Sequence, residues 1–210
     1  GRTVDARDCA TPAATRKLLM NPAVDAIACE AGADGILREG LAFDRCDVAV
    51  VTAIGRADHL GHAYVDDPDG MFTVKRCAVD VVLPTGTAVL DAEDPLVADM
   101  ARLSAGAVAL FARSPDHPVL AGHAASGGLA AYVREGRITL CENGQEQAVA
   151  EVANLPVTRG GRAAFQVRNA LAASAAGRAL GLSLDVVRAG LESFDTDGRE
   201  LPGRFEWIDG

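Results

Sequence analysis

Aromatic side chains are scarce. Phe, Tyr and Trp make up 4% of the 210 residues, so Ala, Val and Leu must fill the core. No apolar stretch approaches the roughly 18 residues of a membrane span, and the first residues do not read as a signal peptide. Runs of Lys or Arg are also missing. With 29 acidic against 20 basic residues the net charge is −9. Such a surface repels phosphate backbones, so neither nucleic acid nor a membrane is an expected partner. The five cysteines are scattered, without a C-x-x-C pair. That favours reduced thiols in a cytoplasm over a disulfide framework or a zinc site. Neither G-x-x-x-x-G-K-[ST] nor G-x-G-x-x-G occurs, so the chain carries no recognisable phosphate cradle.

Apolar residues at 49% and charged residues at 23% are ordinary for a globular protein. A domain of this length buries roughly 70% of the surface its unfolded chain exposes. Thr11-Pro12 opens a helix, with Thr11 as N-cap and Pro12 at the first helical position, running to Met20 before Asn21-Pro22. The runs 26–29 and 47–52 read as short buried parallel strands. Residues 71–82 read as helix passing into strand, followed by a core strand at 88–90, a helix at 95–103 and a strand at 107–111. From 129 to 157 short β-prone runs are separated by Gly136 and Asn143-Gly144, the pattern of hairpins. Helices at 164–180, closed by Gly181, and 183–194, capped by Ser183, complete the pattern. Strands alternating with helices, then a small antiparallel patch, predict a three-layer α/β domain with a mostly parallel sheet.

In such sheets ligands gather beyond the carboxyl ends of the strands. Glu30 closes the 26–29 run, and Asp58-His59 lies shortly after the 47–52 run. Carboxylate oxygen suits a hard cation such as Mg²⁺, and an imidazole can join where phosphates also bind. Position alone leaves a second reading for each: Glu30 as a solvated loop carboxylate, His59 as a histidine at a helix start. Lys75 lies among mostly apolar neighbours in its helix, the setting of a surface lysine with its stem on the protein and its ammonium in water. Asn169 could cap or pack equally well. Arg204, in Pro202-Gly203-Arg204-Phe205, follows the last helix in a turn, where a guanidinium could reach a phosphate or stay on the surface.

Several segments, taken in order, carry a resemblance. They are Asp8-Cys9, Leu19 to Asp25, Gly35-Ile36-Leu37-Arg38-Glu39-Gly40-Leu41, Phe43-Asp44-Arg45-Cys46-Asp47 and Asp58-His59-Leu60-Gly61, then Ala88 to Pro95, Gly160-Gly161-Arg162-Ala163 with Phe165-Gln166, Asn169 to Ala173 and Pro202 to Phe205. Together they resemble the Mur-ligase-type half of cyanophycin synthetases over nearly the whole chain. The G-I-L-R-E-G-L and F-D-R-C-D segments are specific to that type, whereas D-H-L, N-A-L-A-A and P-G-R occur across Mur ligases and folylpolyglutamate synthetases.

The resemblance implies a Mur-ligase-like central ATP-binding domain over residues 1–201, incomplete on its N-terminal side. Residues 202–210 would link it to a further C-terminal domain, and a P-loop would lie some tens of residues before Gly1. The implied reaction is ATP-dependent amide formation, in which a carboxylate is phosphorylated and an amine attacks the acyl phosphate. Arginine would be joined to aspartate side chains of a growing polymer. Glu30 resembles the strand-end glutamate that holds Mg²⁺, and His59 the histidine that holds a second metal. Lys75 resembles the lysine that, once carbamylated, ligates that metal. Asn169 resembles the adenine-side asparagine and Arg204 the basic residue near the phosphates. ATP, Mg²⁺, aspartate, arginine and polymer are thus the expected partners, with homo-oligomerisation through the longer enzyme.

The chain departs from the pattern around the expected site. T-A-R-G-G is replaced by Ala31-Gly32-Ala33-Asp34-Gly35, T-N by Thr52-Ala53 with one extra residue before Asp58, and the asparagine of A-V-L-N by Asp91. Two readings therefore stand: a working ligase domain, or a catalytically silent Mur-like domain kept for assembly or for holding polymer.

Overall fold

The computed structural model describes residues 11–54, 65 and 67–194. Its framework is one six-stranded sheet with strand order β1-β2-β3-β4-β5-β6. The strands are β1 (Cys46–Val51), β2 (Val82–Asp91), β3 (Ala107–Phe111), β4 (Leu129–Arg134), β5 (Arg137–Glu142) and β6 (Gln145–Glu151). β1 to β4 pair in parallel, and β4, β5 and β6 pair antiparallel. The antiparallel patch expected from the sequence is therefore the continuation of the parallel sheet.

Alternating side chains build the layers. Ala88 and Leu90 of β2, Leu110 of β3, and Ala130 and Tyr132 of β4 enter one core. That core is shared with Met71, Val74 and Val79 of α3 (Pro68–Asp80) and with Val97 of α4 (Pro95–Asp99). The intervening Val89, Ala109, Phe111, Leu129 and Ala131 enter a second core. It is closed by Val167, Ala170, Leu171 and Ala175 of α6 (Ala164–Ala179) and by Val187 and Leu191 of α7 (Leu184–Ser193). Helices on both faces of the sheet make the three layers. Few of these side chains are large, as the shortage of aromatics requires; Phe111 is the biggest that is fully buried.

The local signals act as their chemistry dictates. Thr11 caps α1 (Pro12–Leu19) by accepting from the Ala14 amide at 3.3 Å. Both hairpins turn on two residues with positive φ, Glu135-Gly136 and Asn143-Gly144. Two successive left-handed residues match the right-handed strand twist.

Four expectations change. The 26–29 run is not a strand: it is irregular and mostly exposed, with no partner strand among the described residues. A run becomes a strand only where a neighbour takes its backbone hydrogen bonds in a ladder. Val82 and residues 88–90 belong to one ten-residue strand. The helix at 95–103 is α4 followed by a 3₁₀ turn at Met100–Leu103. Two helices were not foreseen, α2 (Ala33–Glu39) and α5 (Pro118–Ala125). α2 has its start at Gly32, without a side-chain cap, so little in its sequence announces it.

The parallel strands approach each other over glycine. A Cβ on Gly106 would run into the carbonyl oxygens of Gly86 and Leu83, whereas one on Gly190, inside α7, meets nothing within 4 Å. Gly106→Ala is therefore expected to destabilise the domain by about 1–3 kcal/mol. Gly190→Ala should stabilise it by up to about 1 kcal/mol. Urea unfolding of the two variants checks the opposite signs.

Candidate functional site

The carboxyl ends of β1, β2 and β3 lie level, because Val51 pairs with Leu90 and Asp91 with Phe111. Just beyond β1, three consecutive residues are each held by a side chain from a different element. The Thr52 carbonyl accepts from Nη2 of Arg168, on α6, at 3.3 Å. The Ala53 carbonyl accepts from Nζ of Lys75, on α3, at 2.8 Å. The Ile54 amide donates to Oδ2 of Asp94, the N-cap of α4, at 2.7 Å. Asp94 Oδ1 meanwhile accepts from the Leu96 and Val97 amides at 3.1 and 3.3 Å. One carboxylate thus starts a helix and fixes the end of a neighbouring strand.

Asp91 anchors this edge. Its carboxylate is wholly buried and receives both Nε, at 2.9 Å, and Nη2 of Arg168. It also accepts from the Glu93 amide at 2.8 Å. Burial pushes the Asp91 carboxyl above the ordinary aspartate range, and the bonds from Arg168 and the Glu93 amide oppose that push without cancelling it. Glu93 extends the network to the end of β3, accepting from the Arg113 amide at 2.8 Å and lying 3.9 Å from Arg168 Nε.

The sequence-derived candidates fall into three groups. Lys75 is half-buried and reaches the end of β1, rather than standing in water as its helical pattern suggests. Asn169 is exposed on α6 and donates to Oε1 of Gln166 at 3.1 Å, one helical turn after the exposed Phe165. Glu30 is exposed in the irregular segment before α2. It lines a hollow of about 10 Å³, the room for one water, with residues of α1, α2 and their flanking loops and not with Lys75 or Asp91. Asp58, His59 and Arg204 lie outside the described residues. Arg168 and Glu93 were missed. Arg168 stands within an alanine-rich helical run, and no sequence spacing marks a contact 77 residues away.

Among the described residues no three His, Cys, Asp or Glu side chains cluster to hold a metal ion. As an ammonium, Lys75 is a donor and cannot ligate a cation. Carbamylated, it would offer oxygen of the kind Mg²⁺ prefers, as the Glu30 carboxylate does from the separate hollow that it lines. Among the described residues no helix is long and apolar enough to cross a membrane.

Comparison with known proteins adds the following. Residues 8–177 match the family model of the Mur ligase middle domain. A cyanophycin synthetase from Synechocystis sp. is 41% identical over 201 residues, covering 96% of this chain and 23% of that protein. One from Crocosphaera subtropica is 38% identical over the same lengths. A UDP-N-acetylmuramoyl-L-alanyl-D-glutamate–2,6-diaminopimelate ligase from Geobacter metallireducens is 32% identical over 79% of this chain and 30% of that protein. The solved MurF from Acinetobacter baumannii superposes with a TM-score of 0.52 at 24% identity, over 79% of this chain and 32% of that one, a likeness of fold. The chain spans about a quarter of the length of the cyanophycin synthetases it matches.

The raised Asp91 carboxyl has a consequence for stability. Between its unfolded and folded values the native state holds a proton that the unfolded chain has lost, so stability falls as pH rises through that window, which opens near pH 4. Asp91→Asn removes this slope. Its stability relative to the parent should rise as pH climbs through the same window, as read by urea unfolding across a pH series.

Proposed function

The chain belongs to the Mur ligase middle-domain family, and we propose that it is the ATP-dependent amide-ligase domain of a cyanophycin synthetase-type enzyme. In this reading it joins arginine to aspartate side-chain carboxylates of a polymer through an acyl phosphate. The observation that carries the proposal is the likeness to cyanophycin synthetases, continuous along nearly the whole chain. The fixed carboxyl edge of β1 and β2 is where a domain of this architecture takes its ligand.

ATP supplies the phosphoryl group that makes the carboxylate reactive toward an amine, and Mg²⁺ held by Glu30, His59 and carbamylated Lys75 would neutralise phosphate charge. The chain's own residues do the positioning. Asn169 carries an exposed amide whose carbonyl oxygen has no partner among the described residues, and it suits the exocyclic amine of adenine. Arg204 would serve the phosphates. Lys75 is placed by its bond to Ala53, and carbamylation would turn its charge from positive to negative at the end of β1. Residues 202–210 would link the domain to the remainder of a homo-oligomeric, cytoplasmic enzyme.

Particular contacts favour the silent-domain reading. Asp91, in place of the family's asparagine, is fully engaged by Arg168. Asp34, gained where T-A-R-G-G has a glycine, is paired along α2 with Arg38 at 2.8 Å. Both substitutions give structural partners rather than free groups.

Replacing Lys75 separates the two readings. In the full-length protein Lys75→Ala is expected to abolish ATP-dependent arginine incorporation, and added short-chain carboxylates should restore part of it. Unchanged incorporation of radiolabelled arginine by Lys75→Ala would make Lys75 an ordinary structural lysine, whereas no incorporation by the parent would favour the silent domain.

A further inference from the structure

Arg168 makes the contacts of a strut. From one guanidinium it binds the buried Asp91 carboxylate at the end of β2 and the Thr52 carbonyl just past β1. It lies 3.9 Å from Glu93, which itself holds the second amide past β3, that of Arg113. Its own helix, α6, carries Asn169 as the next residue. Helical geometry turns that neighbour by about 100°, so Arg168 faces the strand ends while Asn169 is exposed.

An ion pair with a fully buried carboxylate is poor evidence of a stabilising device, because desolvation offsets most of the Coulomb gain. A lysine would serve only in part. It offers a point charge, whereas the planar guanidinium reaches a carboxylate and a carbonyl at once. What the arrangement does deliver is registration: it sets α6 against the end of β1, where Lys75 holds the very next carbonyl.

We infer that Arg168 is a positioning residue of this site. Acting through the Asp91 carboxylate and the Thr52 carbonyl, it fixes the nucleotide-side helix relative to the Lys75-bound end of β1. The inference rests on the ligase reading for its effect on turnover, but not for its effect on the backbone.

The test uses the full-length protein with Arg168→Gln and Arg168→Lys, read in two ways. In hydrogen–deuterium exchange, Arg168→Gln should speed exchange at residues 52–54 roughly tenfold while peptides inside β2, β3 and α6 keep their protection. In steady-state ligation, Arg168→Gln should lower kcat by roughly 10- to 100-fold with KM for ATP changed less than about threefold, the signature of misplacement without lost contact. Arg168→Lys should fall between Arg168→Gln and the parent in both readouts, and it serves alone where Arg168→Gln does not fold. Unchanged exchange at 52–54, or exchange rising equally through the sheet, would overturn the inference. So would a raised KM for ATP at unchanged kcat, which would mark direct nucleotide contact. If the parent enzyme does not ligate at all, the ligase reading fails, and the exchange result alone decides the role of Arg168.

Discussion

The Asp91–Arg168 pair is the interaction on which the organisation of this edge depends. A carboxylate with no solvent exposure must find compensating charge or hydrogen bonds, and here it finds one guanidinium and one backbone amide. Because that guanidinium also holds Thr52, satisfying the buried charge simultaneously fixes the strand end beside it. Lys75 and Asp94 complete the hold on the next two residues, so the chain leaves β1 along a defined path.

The remainder of the domain supports this edge. Small alternating side chains let α3 and α6 close on opposite faces of the sheet. Each helix thereby delivers one long cation, Lys75 or Arg168, to the same end of the strands. The glycine contacts between Gly86 and Gly106 bring the amino-terminal sides of β2 and β3 close, and the strand register carries that alignment to Asp91 and Phe111.

Much of the fold was legible in the sequence because its signals are local. Thr11-Pro12, Asn143-Gly144, Gly181 and Ser183 each specify a backbone conformation within a few residues. The irregular run at 26–29 was misread for the opposite reason: an apolar tetrapeptide becomes a strand only when a partner offers a ladder, and that information is not local. The same limit applies at the site. Resemblance pointed to Glu30, His59, Lys75, Asn169 and Arg204, and among these Lys75 bonds the carbonyl just past the end of β1. Arg168 and Glu93 became visible only when α6 was seen to lie across β1 and β2. Asp91 was noticed as a departure from a motif, but its partner was not. The sequence could show that a charge had been introduced, whereas the structure shows what neutralises it.

The central claim is that this edge is the nucleotide-side surface of an amide-ligase domain. The most direct measurement is a structure of the full-length protein with a non-hydrolysable ATP analogue and an aspartate-rich polymer. The account predicts the analogue across the carboxyl ends of β1 and β2, with its base beside Asn169. An analogue bound only in another domain, with this edge unchanged and empty, would contradict it and leave the domain a structural one.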